Sequence, residues 1–346
     1  MPLPAPLKHD MLLGLCCLPA IVVIYLVGFR LDQVPAASVM ASGALTLAFG
    51  ASKTWGGSAF SLLMTTAAGL AISTWLGCLT GNVMPLYIAG AMLYAGVYVA
   101  LANVDNSAWW MVLQWSVAYL VSGYYAGTLE HALQRAALTG SGGLLQIAFL
   151  YLVFQRFPFQ RKDISPAVWL LFFRVTLRKY KHKIHLQWSV FCALLTMCLA
   201  LSTVEIFQLK NGYWAGMTLL FCLRNNYKDT FSRVQARVLG TLMGTLLAAT
   251  LIDVWHNPLF LVCGFIFSGY VAFTFSYSLI SKSYFVFTFF VTLMVVFMIS
   301  SLGLSQTEVA THRLEATALG GAFALVAIFM TRLFTRRQII KTSSAD

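Results

Sequence analysis

The chain has 346 residues, of which 59% are hydrophobic and 10% are charged, and it carries a formal net charge of +12. A typical globular domain is about 45–50% apolar and about 25% charged. Because so few charged residues cannot cover the surface of a soluble protein, the composition excludes a soluble enzyme, a nucleic-acid-binding domain and a disordered chain. It indicates an integral membrane protein with its basic loops mainly on one side of the membrane.

Taken in chain order, the sequence contains twelve apolar runs near the length of about 20 residues that a membrane helix needs. A basic linker separates six of these runs from a further six. The runs lie at 11–29, 34–52, 58–79, 83–102, 107–128, 138–155, 186–204, 211–227, 235–252, 258–280, 283–304 and 315–331. We therefore predict an all-α membrane protein with about 12 transmembrane helices.

The positions of the basic residues indicate how these helices are oriented. With twelve spans both termini lie on the same side, and 19 of the 23 Lys and Arg residues fall on that side. Such a bias is typical of the cytoplasmic side of a membrane protein. We therefore predict that both termini are cytoplasmic.

The linker divides the predicted protein into two halves. We assign 1–155 to a first six-helix repeat, 156–185 to a basic cytoplasmic linker, 186–332 to a second six-helix repeat and 333–346 to a cytoplasmic tail. Within the linker, 168–183 is either an amphipathic helix at the membrane surface or a solvated connector, and both interpretations stay open.

The ends of the two halves share a sequence pattern. Glu130 and Arg135 with a following Thr-x2-Gly-Gly match Glu308 and Arg313 with the same following residues, at a constant offset of 178. A shorter Thr-x2-Gly match relates the third and ninth runs. Because six is an even number of spans, the two halves have the same orientation. This predicts two parallel six-helix repeats related by a two-fold axis along the membrane normal.

The eighth apolar run is unusually short, because Arg224 ends it after 13 residues counted from Asn211. A short span and an ionisable residue at membrane depth both indicate a transport site. We therefore take Arg224, Asn225 and Asn226 as candidate substrate-binding residues. The alternative is an arginine that snorkels to the cytoplasmic interface.

Two further arginines, Arg233 and Arg237, lie on one helix face at the start of the ninth run, after Asp229 as the predicted N-cap. Guanidinium groups suit carboxylates because their donors match two oxygens at once. We predict that this face binds an organic anion, and ordinary loop charge is the alternative. Tyr213 and Trp214, which begin the eighth run, either stack on an aromatic substrate or belong to the aromatic belt at the membrane interface.

Four charged residues of the repeated pattern lie near the predicted outer ends of the sixth and twelfth runs. A separation of five residues does not suit a pair within one helix, so each glutamate is expected to meet another helix. We predict that Glu130, Arg135, Glu308 and Arg313 either form structural ion pairs or couple transport to protons.

The motifs of several other protein classes are missing from the sequence. It contains no G-x-x-x-x-G-K-[ST] for binding phosphates, and neither H-E-x-x-H nor G-x-S-x-G. Its seven cysteines form no C-x-x-C and no Cys/His cluster with metal spacing. We therefore expect neither enzymatic activity nor a metal or cofactor.

The second half resembles a known family. The stretch from Asn211-Gly-Tyr-Trp through Asp229-Thr230 to Arg237-Val-Leu-Gly-Thr-Leu-Met-Gly244 resembles the fusaric acid resistance and aromatic acid exporter (FUSC) superfamily. The Arg-x3-Thr-x2-Gly-Gly of the twelfth run is also similar to that family. The resemblance is clearest over about 211–331.

This resemblance implies an exporter of organic anions, in particular aromatic carboxylic acids, in the bacterial inner membrane, and we expect the proton gradient to drive it. The expected partners are the lipid bilayer, a small organic anion and a periplasmic membrane-fusion adaptor, with a second copy of the chain as a further candidate and no nucleic acid. Two alternatives stay open. One is a passive anion channel with the same arginines, and the other is a non-transporting membrane anchor of an envelope assembly.

Overall fold

The computed structural model describes residues 5–102, 104–157, 165–181, 187–224, 226–255, 257–277, 283–301 and 306–343. In these ranges the chain forms thirteen α-helices and no β-strand. The helices are α1 (Ala5–Arg30), α2 (Val34–Gly50), α3 (Ala59–Thr80), α4 (Met84–Ala102), α5 (Asn106–Tyr124), α6 (Leu129–Ala148), α7 (Pro166–Lys181), α8 (Gln187–Ile206), α9 (Tyr213–Cys222), α10 (Tyr227–Val254), α11 (Pro258–Tyr277), α12 (Ser283–Ser301) and α13 (Gln306–Ser343). The predicted all-α class is confirmed over these residues.

Eight of the described helices are long and apolar enough to cross a membrane. They are α1, α3, α4, α6 with the π-helical turn that extends it to Val153, α8, α10, α11 and α13. The helices α2, α9 and α12 are apolar but contribute shorter segments. A chain with this many apolar helices is a multi-span membrane protein, whereas the count of twelve spans and the side of the termini stay predictions.

Polar side chains fix where several helices begin. The Ser58 hydroxyl accepts a hydrogen bond from a backbone N–H in the first turn of α3, and the Asp105 carboxylate accepts two at the start of α5. At α10 the cap is Asn226, whose Oδ1 accepts from the Asp229 N–H at 2.8 Å. The predicted N-cap of this helix, Asp229, is therefore wrong. Asp229 instead lies in the first turn, where its negative charge suits the positive end of the helix dipole.

The two halves have the same pattern of neighbouring helices. In the first half α3 packs against α5 and α6, and α2 packs against α6. In the second half α10 packs against α12 and α13, and α9 packs against α13. Between the halves, α4 packs against α8 and α1 packs against α11. This arrangement is what two parallel repeats would produce, and the two-fold relation itself stays a prediction.

Glycines of the repeated Thr-x2-Gly-Gly pattern allow close approaches between these helices. A Cβ atom on Gly142 of α6 would collide with the backbone carbonyl of Met40 in α2. A Cβ atom on Gly320 of α13 would collide in the same way with the carbonyl of Ala215 in α9. Small residues let membrane helices pack backbone against backbone, so this part of the pattern serves packing.

Two tyrosines connect the halves through the ends of α2 and α9. Tyr98 of α4 donates its hydroxyl hydrogen to the carbonyl of Leu220 in α9 at 2.6 Å, and the Leu223 carbonyl lies 3.3 Å from the same oxygen. Tyr277 of α11 donates to the carbonyl of Ala48 near the end of α2. The bond from Tyr98 satisfies a backbone carbonyl at the C-terminal end of α9, where helices leave carbonyls without an intrahelical partner. The bond from Tyr277 adds to the one that the Ala48 carbonyl accepts from the Ala51 N–H at 3.2 Å.

The linker between the halves contains the helix α7. The ring of Phe172 packs against Trp55 in the loop between α2 and α3, with 5.5 Å between ring centroids. Lys179 forms an ion pair with Asp105, the cap of α5, at 3.6 Å. The helix therefore lies at the end of the bundle where α2 and α4 end, which is the predicted cytoplasmic end. Its contact with the membrane surface stays a prediction.

Candidate functional site

The helix α9 is too short to cross a membrane. Its ten residues correspond to a length of about 15 Å, half of the roughly 30 Å hydrocarbon core of a bilayer. All of its residues except Phe221 are buried, and the chain leaves the helix through Leu223 in an extended conformation. The helix therefore ends inside the protein, as the short apolar run predicts, and Arg224 follows directly at that end.

Arg224 turns toward the first half of the protein. Its Nη1 donates to the hydroxyl of Tyr98 at 3.0 Å, and its guanidinium lies over the ring of Trp109 at 4.6 Å. Its backbone N–H donates to the Thr230 hydroxyl at 3.0 Å, which ties the end of α9 to the start of α10. A snorkelling arginine would extend toward the headgroups, whereas this half-buried one is held between α4, α5 and α10.

Arg233 and Arg237 extend the positive charge along α10. The guanidinium of Arg233 lies 4.4 Å from the ring centroid of Tyr284, and that of Arg237 lies 4.8 Å from that of Phe221. Arg237 is only 2% exposed, and its Nε has no hydrogen-bond partner among the described residues. The structure therefore brings together these two arginines on the helix face that the sequence predicted.

The three arginines lie near the end of α9. Cys222, the last residue of that helix, is fully buried and lies within electrostatic range of Arg224, Arg233 and Arg237. The charges of Arg224 and Arg233 also repel each other. Like charges at membrane depth cost free energy unless an anion compensates them.

Acidic partners for this cluster are absent from the described part of the chain. The ion pairs found there are His9–Asp10, Lys179–Asp105 and His312–Glu315, and none of them includes an arginine. Groups of His, Cys, Asp and Glu that could hold a metal ion are likewise absent from the residues searched. The arrangement is therefore a cationic site, suited to an anion that arrives from outside the protein.

Of the two predicted asparagines, Asn226 lies within the described residues. Asn226 is exposed and serves as the cap of α10, with its Oδ1 on the Asp229 N–H and its Nδ2 on the Asp229 carboxylate at 2.6 Å. Its side chain is thereby committed to the helix start. Asn225 lies outside the described residues.

Tyr213 and Trp214 lie at the opposite end of α9 from Arg224. Both are buried, and Tyr213 packs against Tyr124 with 5.1 Å between ring centroids. Trp214 carries the guanidinium of Arg313 over its ring at 4.1 Å. Trp214 therefore contacts an arginine of the repeated pattern.

The repeated Glu and Arg residues do not form the ion pairs that one interpretation predicted, as far as their side chains are described. Glu130 is exposed in the first turn of α6 and makes no ion pair with a described residue. Arg135 lies over the ring of Tyr125 at 5.1 Å. Arg313 is 1% exposed and donates from Nη2 toward the Thr292 hydroxyl at 3.5 Å. The side chain of Glu308 lies outside the described residues.

Sequence reasoning missed the contribution of the first half to this site. Tyr98 and Trp109 contact Arg224 across 126 and 115 positions of the chain. Neither residue was among the candidate site residues, and the tyrosine had no signal of its own. Neither residue lies in a pattern that points to α9, because only the packing of α4 and α5 against α9 brings them there.

Fold and site together define a multi-span helical membrane protein with a buried arginine cluster. A family model described as fusaric acid resistance protein-like matches residues 196–327, the segment that holds α9, α10 and the arginines. The resemblance that the sequence indicated is confirmed over these residues.

Relatives support this assignment. An uncharacterized protein of Haemophilus influenzae is 32% identical over 168 residues, which cover 48% of this chain and 22% of the relative. The inner membrane protein YccS of Escherichia coli is 28% identical over 141 residues, which cover 39% of this chain and 18% of YccS. The chain thus spans about a fifth of the length of these relatives. No solved structure matches the chain.

The apolar helices and the similarity to an inner membrane protein agree with each other. Eight described helices can cross a membrane, and one matched relative is an inner membrane protein by name. The chain is a multi-pass inner membrane protein, as predicted.

Proposed function

We propose that the protein is a transporter that exports organic anions, in particular aromatic carboxylates, across the inner membrane, and that it performs no enzymatic reaction. The observation that supports this most directly is the cluster of Arg224, Arg233 and Arg237 at the inner end of a half-length helix, without an acidic partner among the described residues. Interrupted helices of this kind frame substrate sites in many transporters.

The chemistry of the cluster favours carboxylates with an aromatic group. A guanidinium presents paired N–H donors that match the two oxygens of a carboxylate. Trp109, Tyr284 and Phe221 already cover one face of each guanidinium. Such rings prefer offset-stacked or edge-to-face contact with other aromatic groups, which adds about 0.5–1.5 kcal/mol per pair. An anion that carries both a carboxylate and an aromatic group would contact both the guanidinium N–H donors and the aromatic rings.

The direction of transport, its energy source and its partners belong to the same proposal. The match of residues 196–327 to the fusaric acid resistance protein-like family supports efflux. We propose that the proton gradient drives export, with Glu130 and Glu308 as the coupling groups, and that a periplasmic membrane-fusion adaptor takes part. The exposed position of Glu130 would let it exchange protons with water.

The experiment is uptake of radiolabelled benzoate into inverted membrane vesicles that contain the full chain, with and without an imposed proton gradient. We expect gradient-dependent accumulation in the unsubstituted protein. Arg237→Gln should reduce the initial rate at least tenfold, because a hydrogen bond to a charged group contributes about 1.5–3 kcal/mol. Arg30→Gln, which removes an exposed arginine at the end of α1, is the matched control and should retain the rate.

The outcomes separate the alternatives. Flux that follows the benzoate gradient alone, and that is unchanged by Glu130→Gln or Glu308→Gln, would support a passive channel. Glu205→Gln changes an exposed glutamate at the end of α8 and is the control for these two variants. An absence of benzoate flux with the adaptor present would contradict the proposal.

A further inference from the structure

A second polar cluster lies between the helices of the second half. Arg237 and Arg313 are 2% and 1% exposed, and Arg313 has no hydrogen-bond partner for Nε or Nη1 among the described residues. The hydroxyls of Thr218, Thr241 and Thr288 are also buried and also lack a described partner. Buried polar groups of this kind are rare in folded proteins, so their concentration in one place calls for an occupant.

Four helices bring these groups together. On α10, Thr241 follows Arg237 by four residues and lies on the same helix face. The neighbouring Gly240 and Gly244 leave room for threonines of α12, Thr288 and Thr292 respectively.

The helices α13 and α9 supply the remaining residues of the cluster. Its Arg313 reaches the Thr292 hydroxyl, and its Gly320 packs against Thr218 of α9. The charges of Arg237 and Arg313 lie within electrostatic range of each other.

This cluster shares Arg237 with the arginines at the end of α9 and extends from there toward Trp214 at the other end of that helix. Arg237 lies ten residues after the first residue of α10, which corresponds to about 15 Å along the helix axis. That is about half the thickness of the hydrocarbon core. Arg224 precedes α10, and Arg233 lies six residues into it. Arg237 therefore belongs to both clusters, because it contacts Phe221 at one end of α9, whereas Arg313 contacts Trp214 at the other end.

We infer that Arg237 and Arg313, with the hydroxyls of Thr218, Thr241 and Thr288, form a central carboxylate site. This inference rests on the proposed function, because it adds a second station to the same transport path. Two cations without a counter-charge among the described residues favour an anion in a low-dielectric interior, and the nearby hydroxyls can donate to its remaining lone pairs. Arg313, predicted from the sequence as a structural or coupling residue, becomes a substrate-binding residue.

The test measures access to the site in the full chain. All seven native cysteines are replaced, since Cys222 borders the site, and a single cysteine is introduced as Thr292→Cys. The rate of its modification by a small methanethiosulfonate reagent is measured in inverted vesicles. Benzoate at ten times its apparent Kd should slow this rate about tenfold, because it leaves about one site in ten unoccupied. Benzyl alcohol, the neutral counterpart, should not slow it.

Variants of the second arginine complete the test. Arg313→Gln should abolish the protection by benzoate, whereas Arg313→Lys, which keeps the charge, should retain part of it and shows that the fold survives. Protection that persists in Arg313→Gln overturns the central site, and so does a cysteine that no condition modifies. Benzoate uptake without protection overturns the central site alone, while absence of both uptake and protection overturns the proposed function as well.

Discussion

Four arginines of the second half rest on aromatic rings. A ring face attracts a cation and excludes water from one side of it, by an interaction that reaches about 2 kcal/mol or more when desolvated. The ring covers a face of the guanidinium and not the edge that carries its N–H groups. The pairs are Arg224 on Trp109, Arg233 on Tyr284, Arg237 on Phe221 and Arg313 on Trp214.

The hydroxyl of Tyr98 binds both Arg224 and the end of α9. Tyr98→Phe should lower the free energy of unfolding by about 1–3 kcal/mol, because it leaves the buried Leu220 carbonyl without its donor. The measurement is the thermal unfolding midpoint in detergent, with Tyr227→Phe, an exposed tyrosine at the start of α10, as the control. Equal midpoints for the two variants would contradict the role assigned to Tyr98.

Lys53, in the loop between α2 and α3, gives a pH-dependent prediction. Burial lowers the pKa of its ammonium group below the ordinary value of about 10.4. Between the lowered pKa and the ordinary one, the unfolded chain binds more protons than the folded protein, so stability rises with pH across that window. Lys53→Met should therefore be more stable than the natural sequence at neutral pH, and this advantage should shrink toward pH 10. Unfolding midpoints of both proteins across this range test it, and a constant difference would refute it.

At the scale of single helices, the sequence predicted most of what the structure contains. The apolar runs located the membrane helices, and the interruption at Arg224 located the short α9, because hydrophobicity and charge are local properties of a chain. The start of α10 was misplaced by three residues. Asn226 and Asp229 are both good caps, and only the hydrogen-bond geometry shows that Asn226 receives the N–H.

The docking of α7 yields a prediction at this scale. Gly56 has a φ of +59° and lies against the ring of Phe172, whereas Gly57 has a φ of +84° and has open space beside it. Alanine at either position strains the loop, but only Gly56→Ala also displaces the Phe172 ring. Hydrogen exchange over Pro166–Lys181 should therefore quicken in Gly56→Ala and stay unchanged in Gly57→Ala. The same exchange in both variants would mean that Phe172 does not hold α7.

At the scale of the whole molecule, the sequence predicted two similar halves but not how they touch. The repeated pattern is visible because both copies carry it, while the contacts of α4 with α8 and of α1 with α11 join surfaces with no shared motif. The same limitation explains why the sequence placed the site in the second half alone. Packing between halves depends on the shapes of many apolar side chains together, and no local pattern encodes it.

The repeat can be tested through its glycines. Gly142→Ala and Gly320→Ala should each destabilise the protein by about 1–3 kcal/mol, because each forces a methyl group against a backbone carbonyl. Gly269→Ala is the control, since a Cβ there would make only ordinary contact with Met294. The unfolding midpoint in detergent is the measurement. If one of the two variants were as stable as the control, the halves would not be equivalent at this position.

The bond from Tyr98 to the end of α9 has a consequence for the order of synthesis. The helix that carries Tyr98 leaves the ribosome more than a hundred residues before α9 does. Tyr98 is therefore already in the membrane when α9 arrives. The backbone carbonyls at the end of α9 then have a hydrogen-bond donor at once and are not left unpaired in lipid. A circular permutant that is translated with the second half first would lose this advantage. We expect it to insert less efficiently even though its finished contacts would be the same.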